Sequence, residues 1–151
     1  RQKLLTPATL TNQDYAAAWL SVEYNHKSFD PAAPILQTST GQRVRSKSEV
    51  MIADTLTRLG IPYRYEFPIR LRNYTVHPDF YCLNLRTRHE FVWEHFGMMD
   101  DPEYAQNAVS KIQDYQKHGY FSGKKLITTF ETKTAPISTK QIEQIAREYL
   151  Y

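Results

Sequence analysis

The sequence is poor in cysteine and in long hydrophobic runs, and each shortage excludes a class of protein. With Cys82 as its single cysteine, the chain cannot form an internal disulfide framework or a thiolate zinc site. No window approaches the roughly 18 consecutive apolar residues of a membrane span, and no charged-then-apolar signal segment follows Arg1. We therefore expect a cytoplasmic protein without a membrane partner. Because the first residue is not Met, we also expect a piece of a longer chain.

A strong excess of charge of either sign is missing as well. Nineteen Lys and Arg residues face 16 Asp and Glu residues, a net charge of +3, which permits binding to nucleic acid without requiring it. The 151 residues are 41% hydrophobic and 23% charged, so the chain is neither disordered nor fibrous and suits one domain with a buried core. Aromatic residues, at 13%, exceed what core filling usually needs.

Hydrophobic spacing divides the chain into helices and strands. It predicts helices at 11–24, 46–59, 103–117 and 138–150, and strands at 63–71, 75–84, 89–96 and 124–130. Residues 26–42 carry two prolines, a glycine and several Ser and Thr residues, which predicts a loop. The order predicts an α/β or α+β fold, a mixed central sheet flanked by helices. Residues 1–44 would form an N-terminal helix and connecting loop, and residues 45–151 the core of the same domain.

Two acidic residues fall inside predicted strands. If 85–88 is a hairpin loop, Asn84 pairs with His89, and the same register places Asp79 opposite Glu94 with Cβ atoms about 5 Å apart. Like charges so placed repel unless a cation lies between them, and oxygen ligands suit a hard divalent ion. The alternative is that both carboxylates face solvent.

Glu49 is a third candidate, with two readings that remain open. Ser46 and Glu49 fit a capping box, in which Glu49 would bond the Ser46 amide. Glu49 also continues the apolar stripe of Ala53 and Leu56, so it could instead face the sheet and support a metal site.

Lys111 and two histidines belong to the same neighbourhood. Lys111 lies near the inward face of its helix, where it either snorkels to the rim or stabilises negative charge on a phosphate. His77 shares the face of Asp79 and could contact a phosphate. His95 points away from Glu94, and we expect it to be packed and hydrogen-bonded in the sheet. No histidine spacing indicates zinc.

The ordered set of these residues resembles the PD-(D/E)XK nuclease superfamily, over about residues 45–130. The segments that carry the resemblance are Arg45-Ser46-Lys47-Ser48-Glu49, Tyr65-Glu66, His77-Pro78-Asp79-Phe80 and Trp93-Glu94-His95-Phe96-Gly97. They are most similar to bacterial and phage branches and to nuclease-like domains attached to some helicases. The resemblance implies a restriction-endonuclease-like αβββαβ core with extra terminal helices.

The resemblance also implies metal-dependent hydrolysis of phosphodiester bonds, usually in DNA, although RNA stays open. Asp79 and Glu94 would be the principal Mg²⁺ ligands, with Mn²⁺ able to substitute, and Glu49 would be an additional ligand. The family's lysine normally stands two positions after the second acid, where this chain has Phe96. Some members carry that lysine on a neighbouring helix, and Lys111 is the candidate here.

Nucleic-acid contacts are expected on both sides of this site. Arg43, Arg45 and Lys47 precede the helix of Glu49, whose N-terminus favours phosphate. Tyr115 lies on the face of Lys111 and could stack on a base, or else fill the core.

Two other functions remain open. The chain could keep the fold as a nucleic-acid-binding module without catalysis, which Phe96 and the modest charge favour. It could also be an interaction domain, acting as a homodimer or within a larger protein.

Overall fold

The computed structural model describes residues 10–151. Within that range it has four helices and eight strands. The helices are α1 (Asn12–Leu20), α2 (Lys47–Arg58), α3 (Pro102–Lys117) and α4 (Thr139–Leu150). The strands are β1 (Leu36–Gln37), β2 (Arg43–Val44), β3 (Tyr63–Tyr65), β4 (Ile69–Leu71), β5 (Tyr74–Val76), β6 (Phe80–Leu83), β7 (Glu90–Phe96) and β8 (Leu126–Phe130).

A mixed four-stranded sheet forms the centre, in the order β3-β6-β7-β8. β6 runs antiparallel to both of its neighbours, whereas β8 runs parallel to β7. The elements of this core follow one another as α2, β3, β6, β7, α3 and β8, with α1 before them and α4 after them. The predicted mixed sheet with flanking helices is therefore confirmed.

The predicted register of the central hairpin is also confirmed. Phe80 pairs with Trp93 and Leu83 with Glu90, and the amide of Asn84 donates to the carbonyl of His89 over 2.9 Å. The turn between them is short, and the length and type of a hairpin turn fix the register together with the hydrophobic pattern.

The predicted strand 63–71 is wrong in one respect, because the chain breaks into β3 and β4. Glu66 has φ +51°, a left-handed conformation that ends the pairing of β3 with β6. The chain then forms a separate hairpin of β4 and β5, so the predicted strand 75–84 is split as well.

The predicted loop 26–42 contains β1, which pairs with β2. Helix α1 ends at Leu20, earlier than expected, and leaves Val22 exposed.

The side chains of β7 alternate between two apolar layers, which places the helices. Phe91 and Trp93 pack in a cluster with residues of α2 and α4, such as Leu56 and Ile142. Val92 points the other way and packs with Tyr115 of α3 and with the β4–β5 hairpin. The sheet therefore has α2 and α4 on one face and α3 on the other.

In the described part of the chain, no helix is long and apolar enough to cross a bilayer.

Candidate functional site

Asp79 and Glu94 meet where β6 begins and β7 ends. One residue beyond the paired segment, the register that joins Phe80 to Trp93 places Asp79 opposite Glu94. Both lie on the sheet face covered by α3, because they alternate with residues that pack under α2 and α4. The amide of His95 donates to Asp79 Oδ2 over 2.7 Å and fixes that carboxyl beside β7.

Glu94 is buried, with 2% of its side chain exposed, and two groups of α3 satisfy it. Lys111 Nζ lies 2.9 Å from Glu94 Oε2, and the hydroxyl of Tyr115 donates to the same oxygen over 2.6 Å. Burial by itself would lower the pKa of Lys111, but the charge of Glu94, its hydrogen bond to Lys111 and the charge of Asp79 together outweigh burial, and the pKa is raised. The Lys111 ammonium therefore stays protonated beside the buried carboxylate, and 40% of its side chain reaches solvent.

Asp79 is the electrostatically unfavourable member of the pair. Burial raises its pKa well above the ordinary value, and the negative charges of Glu94 and Glu49 raise it further. The His95 amide and Lys111 lower the pKa without reversing this effect. The charges of Glu94 and Glu49 thus both act on Asp79 at this end of the sheet.

Glu49 faces the sheet from the first turn of α2. Ser46 caps the helix, since its hydroxyl accepts from the Glu49 amide over 3.2 Å. The Glu49 carboxylate bonds the amide of Arg45 over 2.9 Å and the hydroxyl of Tyr65 over 2.7 Å. The Glu49 carboxylate does not accept a hydrogen bond from the Ser46 amide, so the capping box is incomplete. Of the two alternatives, the structure favours a Glu49 side chain that faces the sheet. The pKa of Tyr65 is raised by burial and by the Glu49 charge.

The donor types at this end of the sheet fit a hard divalent ion. Asp79, Glu94 and Glu49 offer carboxylate oxygens, the ligands that Mg²⁺ prefers. Among residues 10–151, no three His, Cys, Asp or Glu side chains come close enough to form a full ligand set by themselves. An ion at Asp79 and Glu94 would therefore depend on water and substrate oxygens for its remaining ligands, which is usual for Mg²⁺.

Two of the three basic residues expected to contact phosphate have internal partners instead. Arg45 forms an ion pair with buried Glu66, with Nε 2.6 Å from Oε2, and its guanidinium lies over the ring of Phe29. The Arg43 guanidinium also lies over Phe29, 4.3 Å from the ring centroid. Both guanidinium groups therefore contact the segment before α2, and the expectation that Arg43 and Arg45 contact phosphate stays a prediction. Lys47 is exposed at the start of α2.

Tyr115 does not offer a stacking surface. Its side chain is 1% exposed, and burial together with the Glu94 charge raises its pKa. The alternative, a core aromatic residue, is the one observed, with the added task of holding Glu94. Tyr104 is half-buried nearby, and its hydroxyl accepts from the amide of Gly97 over 3.1 Å.

The two histidines differ in their surroundings. His77 is half-buried between β5 and β6, two residues before Asp79, so no strand alternation relates the two side chains and their shared face stays a prediction. His95 is buried on the opposite face, as expected, where Nδ1 lies 2.8 Å from Thr129 Oγ1 and Nε2 lies 2.6 Å from Glu131 Oε1. Sequence reasoning missed Glu131, although its place directly after β8 and beside the strand of His95 was a usable signal.

Comparison with known proteins gives one similarity to report. An 84-residue part of the chain is 33% identical to a segment of "Uncharacterized protein MJ1519" of Methanocaldococcus jannaschii. That alignment covers 55% of this chain and 7% of the archaeal protein, so the chain matches a small part of a much longer relative. No family model matches the sequence, and no solved structure matches the fold.

Proposed function

We propose that the chain is a Mg²⁺-dependent nuclease domain of the PD-(D/E)XK type that hydrolyses phosphodiester bonds in DNA. The observation that carries the proposal is the opposed pair of Asp79 and Glu94, with the ammonium of Lys111 2.9 Å from Glu94. Two carboxylates and a lysine at the open end of a sheet are the groups that this hydrolysis requires.

Each residue has a defined part in the proposed reaction. Asp79 and Glu94 would hold the divalent ion, and Glu49 would add an oxygen or orient a water. The chemistry that the ion supplies when bound is polarisation of the phosphate and a more acidic water. Lys111, which replaces the lysine missing at Phe96, would offset the charge that develops on the phosphate, because its ammonium lies beside Glu94 and 40% of its side chain is exposed.

The similarity to a segment of a much longer archaeal protein agrees with a domain that acts within a larger protein. We propose the same arrangement for this chain.

A catalytically inactive nucleic-acid-binding domain is the second candidate. Phe96 at the usual lysine position is 4% exposed and stacks on Phe130 with ring centroids 5.4 Å apart. That position therefore belongs to an aromatic pair and supplies no charge, so an active site depends on Lys111 alone.

The experiment is a cleavage assay on supercoiled plasmid and on single-stranded DNA, with Mg²⁺, Mn²⁺ or EDTA. Asp79→Ala and Lys111→Ala are compared with the wild type, and Lys117→Ala serves as the matched control for a lysine of the same helix. Cutting that needs metal, is lost in the first two variants and persists in the control supports the proposal.

Other results distinguish the alternatives. Cutting that survives Lys111→Ala would refute the role of that lysine while keeping the nuclease. DNA that is bound without being cut under any condition would support the inactive domain. A chain that neither cuts nor binds DNA would contradict both.

A further inference from the structure

A second polar cleft lies at the opposite end of β7 from the carboxylate pair. We call it the basic cleft, a cavity of about 640 Å³ lined by Tyr81, Arg88, Glu90, Tyr120, Lys124 and Lys125, among other residues. The β6–β7 turn contributes Arg88, and the segment between α3 and β8 contributes both lysines. The volume lies within the roughly 300–1,000 Å³ of ordinary ligand sites.

The charge of the basic cleft is mainly positive. Arg88, His89, Lys124 and Lys125 are its basic lining residues, and Glu90 is the one acid among them. Both oxygens of Glu90 accept hydrogen bonds from within the protein. Trp19 Nε1 donates over 2.6 Å and the hydroxyl of Tyr81 over 2.8 Å. Lys124 and Lys125 are exposed, so the cleft presents cations to solvent while its acid is already engaged.

Aromatic rings lie among these cations. Lys125 Nζ is 5.6 Å from the ring centroid of Tyr120, and the Tyr120 ring is itself supported edge-on by Tyr115 at 5.7 Å. Tyr120 is half-buried, so the core holds it and part of its side chain reaches solvent. A basic groove with a supported aromatic ring is the arrangement that binds single-stranded nucleic acid, since phosphates meet the cations and bases stack on the ring.

The basic cleft and the carboxylate pair share one face of the sheet. Glu90 and Glu94 are four residues apart in β7 and alternate to the same side. At about 3.3 Å per residue their separation along the strand is about 13 Å. Val92 lies between them on that face and packs against Tyr115 of α3, so core residues separate the two places along β7.

We propose that the basic cleft binds a single-stranded segment of nucleic acid, with phosphates on Lys124 and Lys125 and a base on Tyr120. The assignment deepens the proposed nuclease function and rests on it, because it names an unpaired strand as the class of substrate.

The test is the salt dependence of binding to a short labelled oligothymidylate, measured in EDTA so that no cleavage occurs. Each phosphate contact to a single strand contributes about 0.7 to the slope of log affinity against log salt. The variant Lys124→Ala/Lys125→Ala should reduce the slope by about 1.4. If affinities are equal near 1 M salt, this means roughly 25-fold weaker binding near 0.1 M. The matched control is Lys133→Ala/Lys140→Ala, which removes two exposed lysines outside the cleft and should leave the slope unchanged.

Tyr120 is tested separately from charge. Tyr120→Leu should weaken binding about fivefold or more with an unchanged salt slope, since stacking of a base is lost. Tyr120→Phe keeps the ring and should bind as the wild type does. Thermal melting of each variant shows that the fold persists. Duplex DNA of equal length should bind more weakly than the single strand, because its paired bases cannot reach Tyr120.

The results separate this proposal from the nuclease itself. An unchanged slope in the Lys124/Lys125 variant, an equal loss in the control pair or preferred binding of duplex would overturn the basic cleft as a single-strand site. Metal-dependent cutting lost in Asp79→Ala would still establish the nuclease in that case. Conversely, the predicted slopes without any cutting would support the basic cleft and overturn the catalytic assignment.

Discussion

At the scale of single residues, two buried acids in the described part of the chain each have a cationic partner. Glu66 has Arg45, Glu94 has Lys111, and each acid is almost fully removed from water. A buried charge without such a partner is costly, because it loses its hydration and gains nothing in return. Asp79 differs, since burial and the negative charges of Glu94 and Glu49 all raise its pKa.

Arg45→Gln tests whether this arginine is structural. The change leaves Glu66 with 3% exposure and no cation, so the free energy of unfolding should fall by about 2–3 kcal/mol. Lys47→Gln, at an exposed neighbour, should stay within about 0.5 kcal/mol. Urea denaturation of both variants measures the difference, and equal stabilities would contradict the structural role of Arg45.

Asp79→Asn tests the electrostatic conflict at the carboxylate pair. The pKa of Asp79 is raised in the folded protein, so folding takes up a proton, and wild-type stability should fall as pH rises from the ordinary Asp value through the raised one. The amide introduced by this substitution keeps an oxygen acceptor for the His95 amide and carries no charge. In EDTA, the variant should therefore melt at a higher temperature than the wild type, by a margin that grows with pH.

Melting curves across the pH range measure that margin. Mg²⁺ should raise the melting temperature of the wild type and leave Asp79→Asn unchanged. A variant that is less stable than the wild type at every pH would show that Asp79 is not in conflict with its neighbours.

At the scale of elements, local signals in the sequence predicted more than long-range ones. Ser46 caps α2 as the sequence indicates, because a cap depends on a few adjacent residues. The register of β6 and β7 follows from their short turn for the same reason. The break after β3 could not be predicted, since the alternation of Tyr63 to Leu71 continues through it. The turn at Glu66 accompanies a pair with Arg45, 21 residues away.

The contact of α3 with the sheet gives a prediction for Tyr115. Tyr115→Phe removes the hydroxyl that donates to Glu94 and leaves no large cavity, so the free energy of unfolding should fall by about 1.5 kcal/mol. Tyr74→Phe is the matched control, because it removes a Tyr–carboxylate bond to Asp114 at an exposed site. Water replaces that exposed bond, so the control should be nearly neutral. If chemical denaturation gives the same change in the free energy of unfolding for both variants, the buried hydrogen bond to Glu94 stabilises the fold no more than the exposed bond to Asp114.

Lys111→Met tests the other contact of α3 with Glu94. Methionine keeps the length and apolar stem of the side chain but leaves the Glu94 charge without its ion pair. The expected loss is about 2 kcal/mol, less than for a fully buried pair because Lys111 is partly exposed. Lys117→Met on the same helix is the control and should be nearly neutral. A neutral Lys111→Met in chemical denaturation would mean that this ion pair does not stabilise the fold.

At the scale of the whole molecule, one sheet face carries both the carboxylate pair and the basic cleft, while α2 and α4 close the other face. The sequence predicted Asp79, Glu94, Glu49 and Lys111 as site candidates, because each interrupts a core pattern. The partners that hold them, such as the Tyr115 hydroxyl, come from distant segments and leave no local trace. The basic cleft likewise joins Arg88 to Lys125, which only the tertiary structure places together.

The single-turnover rate of DNA cleavage in Mg²⁺, compared between the wild type and Asp79→Asn, tests the central claim most directly. Loss of a metal-holding carboxylate should reduce the rate by about 100-fold or more, while binding of DNA in EDTA stays intact. EDTA should abolish cutting by the wild type. Equal rates in the two proteins, or cutting that persists in EDTA, would contradict a metal-dependent nuclease site at Asp79 and Glu94.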